Sequence, residues 1–582
     1  MLAANITNQI AQNNLGQNIK IDTNSDGEIQ ISEVQIVYDL NIQNSAINYL
    51  EWLVYFNNLR RLDCAENFFS SIDLSQLLNL DIVYVNSNPN LVSINMKNGK
   101  LIFPVPAIFP APPGQQGVDF QNCPNLNYIC LEDQFIDELQ TYITNYNITN
   151  ILNYNSYCSF ANGGISYILE AVNKLDLNFN GCDSNDIFIP KLKYNVLNET
   201  TSNIFISGNS SNFNISFPSG QYTITPILEN PNYFNVSPPS SNINFPTNAS
   251  PFTQNFCISP NGVHNDLDIV FVPIGPARPG FDVIYKIIYK NNGTTSQSGT
   301  INLNFNDAIL DFVSTSSAFS NQALNNLNWN FTNLAPFETR TIMVTLNVNS
   351  PTESPAVNSG NILNYTTTIS GLTDETPLNN TISLGHIVVN SLDPNDKTCL
   401  EGTTVSSDMI GKYVHYIIRF ENTGTFSAEN IVVKDLIDTS KFDMNSLTPL
   451  NGSHEFRTKI TNSNNVEFIF ENINLPFDNA NNDGYITFKI KTNSNLVSGD
   501  TFSNNASIYF DYNYPIITNT FTTTISALKN QDFSFQDYFT LSPNPAKDIL
   551  SYSNNFNTEV FSINIYNSIG QIILTFTNPN NE

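Results

Sequence analysis

The sequence predicts a mainly β, multidomain chain: an N-terminal repeat solenoid, tandem β-sandwiches, and a partial sandwich at the C terminus. Three observations predict it. First, aromatics make up 12% of the 582 residues, with 41 Phe and 25 Tyr, while charged residues are only 13%. Asn, Ser and Thr must then supply most of the polar surface, a composition suited to strands joined by short polar turns. Second, YKIIYKNNGT at Tyr285 to Thr294 returns as YIIRFENTGT at Tyr416 to Thr425, with Tyr285 and Tyr416 131 residues apart. At that offset Tyr289 meets Phe420, Asn291 meets Asn422, Gly293 meets Gly424 and Thr294 meets Thr425. An apolar strand runs into an Asn/Gly turn twice, at a spacing that fits two sandwich-sized modules. Third, apolar positions recur about every 21 residues between Leu59 and Leu131, as in a short solenoid.

The totals narrow the function classes. With 51 acidic and 23 basic side chains the net charge is -28. Nucleic acid is thereby disfavoured, because phosphates demand clustered Lys and Arg, and so is an anionic membrane surface. Divalent cations suit the acidic balance. No apolar run reaches the roughly 18 residues of a membrane span, so membrane insertion is not expected. The start, MLAANITNQIAQNN, has neither the basic nor the apolar region of a signal peptide. Seven cysteines occur with no CxxC pair. A thiolate zinc site or redox pair is therefore not expected, and at least one thiol is left over. A monomer is expected.

Taken in order, residues 3 to 15 are read as a short helix. IDTNSDGEIQISE follows. Asp22, Asn24 and Asp26 hold the first, third and fifth places of a twelve-residue loop, Gly27 the sixth and Glu33 the twelfth. This spacing sets oxygen ligands around a hard cation, with Gly27 making the sharp turn and Glu33 closing the site. Glu28 would offer its backbone carbonyl, and Gln30 would act directly or through water. The competing reading is an Asx-turn loop that binds nothing. SEVQIVYDL is too β-branched for a second EF-hand helix, so a structural Ca2+ clip is expected rather than a sensor.

Leu59, Leu62, Cys64 and Asn67 fit L-x-x-L-x-L-x-x-N, and Leu80, Val83, Val85 and Asn88 repeat it. Phe120, Leu126, Ile129 and Leu131 form a degenerate third turn. Apolar positions would fill the solenoid, and Asn67 and Asn88 would bond the turning backbone. These residues resemble leucine-rich repeat proteins, in particular the short repeats of Bacteroidetes surface proteins, which often follow a DxNxDGxIxxxE segment. KLIFPVPAIFPAPPGQQG, from Lys100 to Gly117, interrupts them as a packed excursion or, alternatively, a partner-binding loop. Cys130 and Cys158 could staple the end of this 1–162 unit; buried free thiols are the alternative.

Residues 163–262 carry DLNFNGCDSND, with Asp176, Asn178, Asn180, Gly181, Asp183 and Asp186. This resembles the calcium loops of prealbumin-like β-sandwich modules in bacterial surface proteins. That resemblance implies a second Ca2+ site; a plain Asx-rich turn is the alternative. YTITPI reads as a strand, and NPNYFNVSPPSSNINFP as strands and edges. Cys182 and Cys257 bracket the unit, and a disulfide between them would suit an extracellular location. Residues 263–390 and 391–525 hold the two copies of the opening motif. They resemble the conserved-repeat Ig-like modules of Bacteroidetes secreted proteins. Those modules have no established chemistry, so the resemblance implies architecture and habitat only. Asp393 and Asp396 read as turn formers. In 526–582, Pro543, Asn544, Pro545, Lys547, Asp548 and Gly570 resemble the C-terminal sorting domain of the type IX secretion system. That domain normally continues through several more strands to a basic segment, so the chain is expected to be incomplete at its ends.

His264, His386, His415 and His454 fall on separate segments without H-x-x-x-H or H-E-x-x-H spacing, which leaves zinc hydrolysis unsupported. No G-x-S-x-G, P-loop or dinucleotide fingerprint occurs. The reading is a non-enzymatic adhesion or recognition protein, extracellular or on the outer cell surface. Its repeats would bind a protein or glycan, its sandwiches would act as a stalk, and calcium would stiffen it. The alternatives are a secreted hydrolase with an active site hidden at a module junction, and a purely structural spacer.

Overall fold

A computed structural model describes residues 1–100, 117–151, 153–160, 163–199, 201–209, 213–390, 394–479, 481–511, 513–526, 539–542, 545–554 and 562–577. Most of the Pro-rich excursion, together with Asp393, Pro543 and Asn544, lies outside them.

The N-terminal unit is a stack of coils edged by two ladders. One joins Asp39–Asn41, Arg61–Asp63, Ile82–Tyr84 and Gly117–Asp119 in parallel. The other joins Ser71–Asp73, Ser93–Asn95, Tyr128–Cys130 and Asn153–Asn155, also in parallel. Leu40, Leu62, Val83 and Val118 are successive partners in the first ladder, and all are buried in one core. Asn67 Nδ2 donates to the carbonyls of Ile42, Cys64 and Ala65, and Asn88 Nδ2 to those of Cys64 and Val85. These bonds satisfy carbonyls that the tight corners leave unpaired. The helix expected over residues 3 to 15 is absent. Turns and a two-residue strand, Ala11–Gln12, stand there. The reason is local: Asn5 and Asn8 donate to the Ala3 carbonyl, and the Asn13 side chain accepts from the amides of Leu15 and Gln17. Such bonds compete with the helical ladder. The helix Ile136–Asn145 covers the far end, burying Leu139 and Tyr142.

Three further cores follow, centred on residues 169–258, 267–388 and 399–525. In the last two, the repeated motif does the same work twice. Asn291 Nδ2 donates to the carbonyls of Thr295 and Leu334, and its Oδ1 accepts from Gly293. Asn422 donates to those of Phe426 and Leu475 and accepts from Gly424. A Cβ at Gly293 would stand 2.4 Å from the His264 carbonyl oxygen, so the close chain approach requires glycine there.

The modules are not strung end to end. Strand Thr201–Ile206 of the second unit pairs with Arg457–Thr461 of the fourth, making one nine-stranded sheet across the two. Tyr157 of the N-terminal stack donates to Glu467 at 2.8 Å, and Lys459 pairs with Asp133 at 2.8 Å. Leu400, Ile417 and Tyr485 of the fourth unit belong to the core of the third. The 391–525 unit thus touches all three others.

Candidate cation loops and module junction

The two acidic loops converge on one local arrangement. Asp22 and Asp176 are each about nineteen-twentieths buried, 6% and 5% exposed. In each, Oδ2 accepts from the glycine amide five residues on, Gly27 at 3.3 Å and Gly181 at 2.9 Å. Gly27 and Gly181 have φ of 87° and 90°, values that favour glycine. In each, the other oxygen, Oδ1, is buried without a hydrogen-bond partner. A buried carboxylate oxygen with no donor is costly, and either a hydrogen-bond donor or a hard cation would satisfy it.

The remaining ligand candidates are turned toward the loop backbone. Glu33 accepts from the amides of Thr23 and Gln30 at 2.6 and 3.1 Å. The Gln30 amide and then the Thr23 hydroxyl hold its carboxyl below the usual range against the opposing cost of burial. Asp26 accepts from the Glu28 amide at 2.8 Å, which lowers its pKa, and from Asn24 and Gln30 side chains. Glu28 and Asn24 lie at the exposed rim. In the second loop Asn178 accepts from the Asn180 amide, Asp183 from the Asn185 amide, and Asp186 from the Asp183 amide at 2.7 Å. The donor sets fit a hard cation in kind. Among the described residues, however, no three His, Cys, Asp or Glu side chains stand together as a ready cage. A cation would have to draw Asp26 and Glu33 off their amide bonds.

Cys130 is bonded to Cys158 and Cys182 to Cys257, while Cys64, Cys123 and Cys399 are free and buried. The second disulfide adjoins the Asp176 loop and ties it to the strand Phe252–Pro260. The four histidines do not converge. His264 contacts Glu375, His386 contacts Tyr285, His415 contacts Glu401, and His454 contacts Ser453. Asp396, expected as a turn former, binds the Arg419 guanidinium through both oxygens at 2.6 Å.

Sequence reasoning missed the junction of the second, third and fourth units. A cavity of about 270 Å³ lies there, lined by Lys191, Lys193, Glu229, Asp268, Tyr413 and Lys489 among others. Lys489 Nζ lies 2.7 Å from both Glu229 and Asp268, one on each neighbouring unit. Burial works against ionised Glu229, but Lys489 and Lys290 outweigh it and hold the carboxyl at about 2. These residues lie more than 200 positions apart in part, and no spacing signals their meeting.

Among known proteins, a family model described as a domain of unknown function (DUF7619) matches residues 393–524. No curated protein matches the chain. Of solved structures, the chain is similar to BcpA, the major pilin subunit of Bacillus cereus, at 10% identity and a TM-score of 0.19, over 63% of this chain and 97% of that one. It is similar to the BspA C-terminal domain of Streptococcus agalactiae at 8% identity and a TM-score of 0.17, over 45% and 99%. It is also similar to the collagen-binding domain from a Staphylococcus aureus adhesin at 16% identity and a TM-score of 0.16, over 23% and 99%.

Proposed function

We propose that this chain is a secreted or cell-surface recognition protein, without catalysis, in which the N-terminal stack meets a protein or glycan partner. The stack is read as a set of leucine-rich repeats, the β units as the body that carries it, and residues 526–582 as part of a type IX sorting segment. The carrying observation is the outer surface of the stack. Tyr49 and Phe68, on coils joined by the Phe68 amide to the Ile47 carbonyl, are 65% and 47% exposed. Ser71 and Asp73, which follow Phe68 in the chain, are exposed, one coil before the half-buried Ser93 and Asn95. Exposed rings flanked by hydroxyl, amide and carboxylate groups suit a glycan or a polar protein face. The two disulfides support an oxidising, extracellular location. In the test, the full chain is screened against glycan and protein arrays beside a Tyr49→Ala/Phe68→Ala variant. Binding by the native chain that drops at least tenfold in the variant is the expected result. Silence of the native chain on both arrays would favour the spacer reading.

Calcium is assigned to the Asp22 loop, with Asn24, Asp26, Glu28 and Glu33, and to the Asp176 loop, with Asn178, Asn180, Asp183 and Asp186. Its role there is rigidity. At a hundredfold excess over Kd, one site would add about 2.7 kcal/mol. Calcium is therefore expected to raise Tm and a chelator to lower it again, while Asp22→Ala/Asp176→Ala removes the response. A double variant that still responds in full sinks the assignment.

A further inference from the structure

Lys397 and Asp435 face each other across the interior of the 391–525 sandwich. Lys397 lies on Lys397–Cys399, opposite Ile418 in one sheet. Asp435 lies on Ile431–Leu436, in the other sheet. Both side chains have zero exposure, and Lys397 Nζ is in direct contact with Asp435 Oδ2. Nζ stands 4.9 Å from the Tyr416 ring centre and 5.4 Å from that of Phe488. Asp435 Oδ1 makes no hydrogen bond of normal geometry, although the buried Asn504 side chain stands near enough to favour its ionised form. We propose that Lys397 and Asp435 condense into an intramolecular amide, a covalent bolt between the two sheets of this module.

The inventory of polar atoms argues for it. An ammonium has three donors to satisfy, and the only hydrogen bond of Lys397 Nζ described is the one to Asp435. Two charges fully out of water are stable only when further hydrogen bonds satisfy them, and here one oxygen is left over. An amide keeps one N–H and one carbonyl, so fewer polar groups go unmet. The same site also favours the reacting forms. Burial pushes the Lys397 ammonium down and the Asp435 carboxyl up, although each partner's charge opposes this. Transfer of a proton from Nζ to the carboxylate gives a neutral amine and a neutral acid. The Nζ lone pair then forms a bond to Cγ while the carbonyl π pair moves onto oxygen. A proton passes from nitrogen to the hydroxyl, the carbonyl re-forms, the C–O bond breaks, and water leaves. No oxidant, reductant or further reactant enters. Two groups held in contact act at effective concentrations of about 10⁵ M or more, and an aromatic interior withholds the water that would reverse the step.

The sister module shows that the fold does not need this pair. Ile287 and Ile418 are equivalent at the 131-residue offset, and Phe271 lies opposite Ile287. Phe271 therefore occupies the place of Lys397, stacked on Tyr285 with ring centres 5.0 Å apart. Its facing strand, Gln297–Phe305, buries the apolar Ile301, Leu303 and Phe305, whereas Ile431–Leu436 buries Asp435 among its apolar residues. An apolar interior in one copy carries an amine and an acid in the other.

The test is the mass of the full chain, reduced and denatured so that disulfides do not contribute. The expected mass is one water below that of the sequence. Trypsin is expected to leave Lys397 uncut and to release Thr341–Lys412 joined to Asp435–Lys441. Lys397→Met is expected to regain the missing water. A native chain at full mass that yields separate Thr341–Lys397 and Asp435–Lys441 peptides would falsify the proposal, whether or not the variant folds. A water deficit that persists in Lys397→Met would overturn it equally.

Discussion

The units at 263–390 and 391–525 share a strand, a turn and a tyrosine, yet they fill their centres with opposite chemistry. In the first, Tyr285 packs against Phe271, and its hydroxyl meets the Tyr365 hydroxyl at 2.6 Å and His386 Nδ1 at 2.9 Å. In the second, Tyr416 packs beside Lys397, and its hydroxyl has no hydrogen-bond partner. The Asn/Gly turn is held in common because the backbone there has one way to satisfy its amides and carbonyls. The interior pair is free to differ because either an aromatic couple or a neutralised polar couple can fill the same space. The 391–525 unit, fourth in chain order, also carries the burden of assembly. It meets the N-terminal stack, the second unit and the third unit through Tyr157, strand Arg457–Thr461 and Lys489.

That contrast can be broken experimentally. The largest effect is expected from Lys397→Ala, which strands Asp435 in the core. A buried pair broken on one side typically costs about 3–5 kcal/mol, read as a lower denaturant midpoint for the 391–525 unit. If the two residues formed only an ion pair, Lys397→Met/Asp435→Leu would restore most of the loss, since apolar replacements of buried pairs are commonly neutral. With the amide bond the double variant stays less stable than the native chain.

Next comes Lys489→Met, at the junction. It leaves Glu229 and Asp268 facing each other with Lys290 3.5 Å from Glu229. A loss of about 2–5 kcal/mol is expected. It should appear as separate unfolding transitions for units that otherwise melt together, seen by calorimetry.

The smallest effect at neutral pH, growing only in acid, is a pH dependence set by His386 of the first copy. Burial, and then the charge of Arg419, lower the pKa of His386 to about 3, against 6.5 for the ordinary side chain. Below 6.5 the unfolded chain takes up a proton that the folded one refuses. The stability His386 contributes is therefore complete above pH 6.5 and is lost as pH falls toward about 3. His386→Phe is expected to flatten that slope in acid melts of the third unit, and an unchanged slope would assign it to other groups.

Much was legible in the residues themselves. The paired motif around Asn291 and Asn422, the buried stack positions Leu62 and Val83, and the Asp-to-Gly spacing of both acidic loops all follow from local pattern. No helix forms over residues 3 to 15 because the asparagines there bond the local backbone. Asp396 read as a turn former, yet it is the partner of Arg419, 23 residues away. Lys397 and Asp435 were invisible for a plain reason. In SLDPNDKTCLEG and AENIVVKDLID each charge looks solvated, and nothing in a local window reports that two sheets close over both.

The sequence by itself determined the mainly β character and the repeated strand-and-turn motif, because composition, alternation and Asn/Gly turns act over a few residues at a time. Only the tertiary structure decided which carboxylate oxygens are left unpaired at Asp22 and Asp176, and that Ile204 would find Ile460 across a module boundary. It also decided that an amine and an acid 38 residues apart would meet without water. Burial sets the chemistry of a charged group, and burial belongs to the whole fold rather than to any stretch of it.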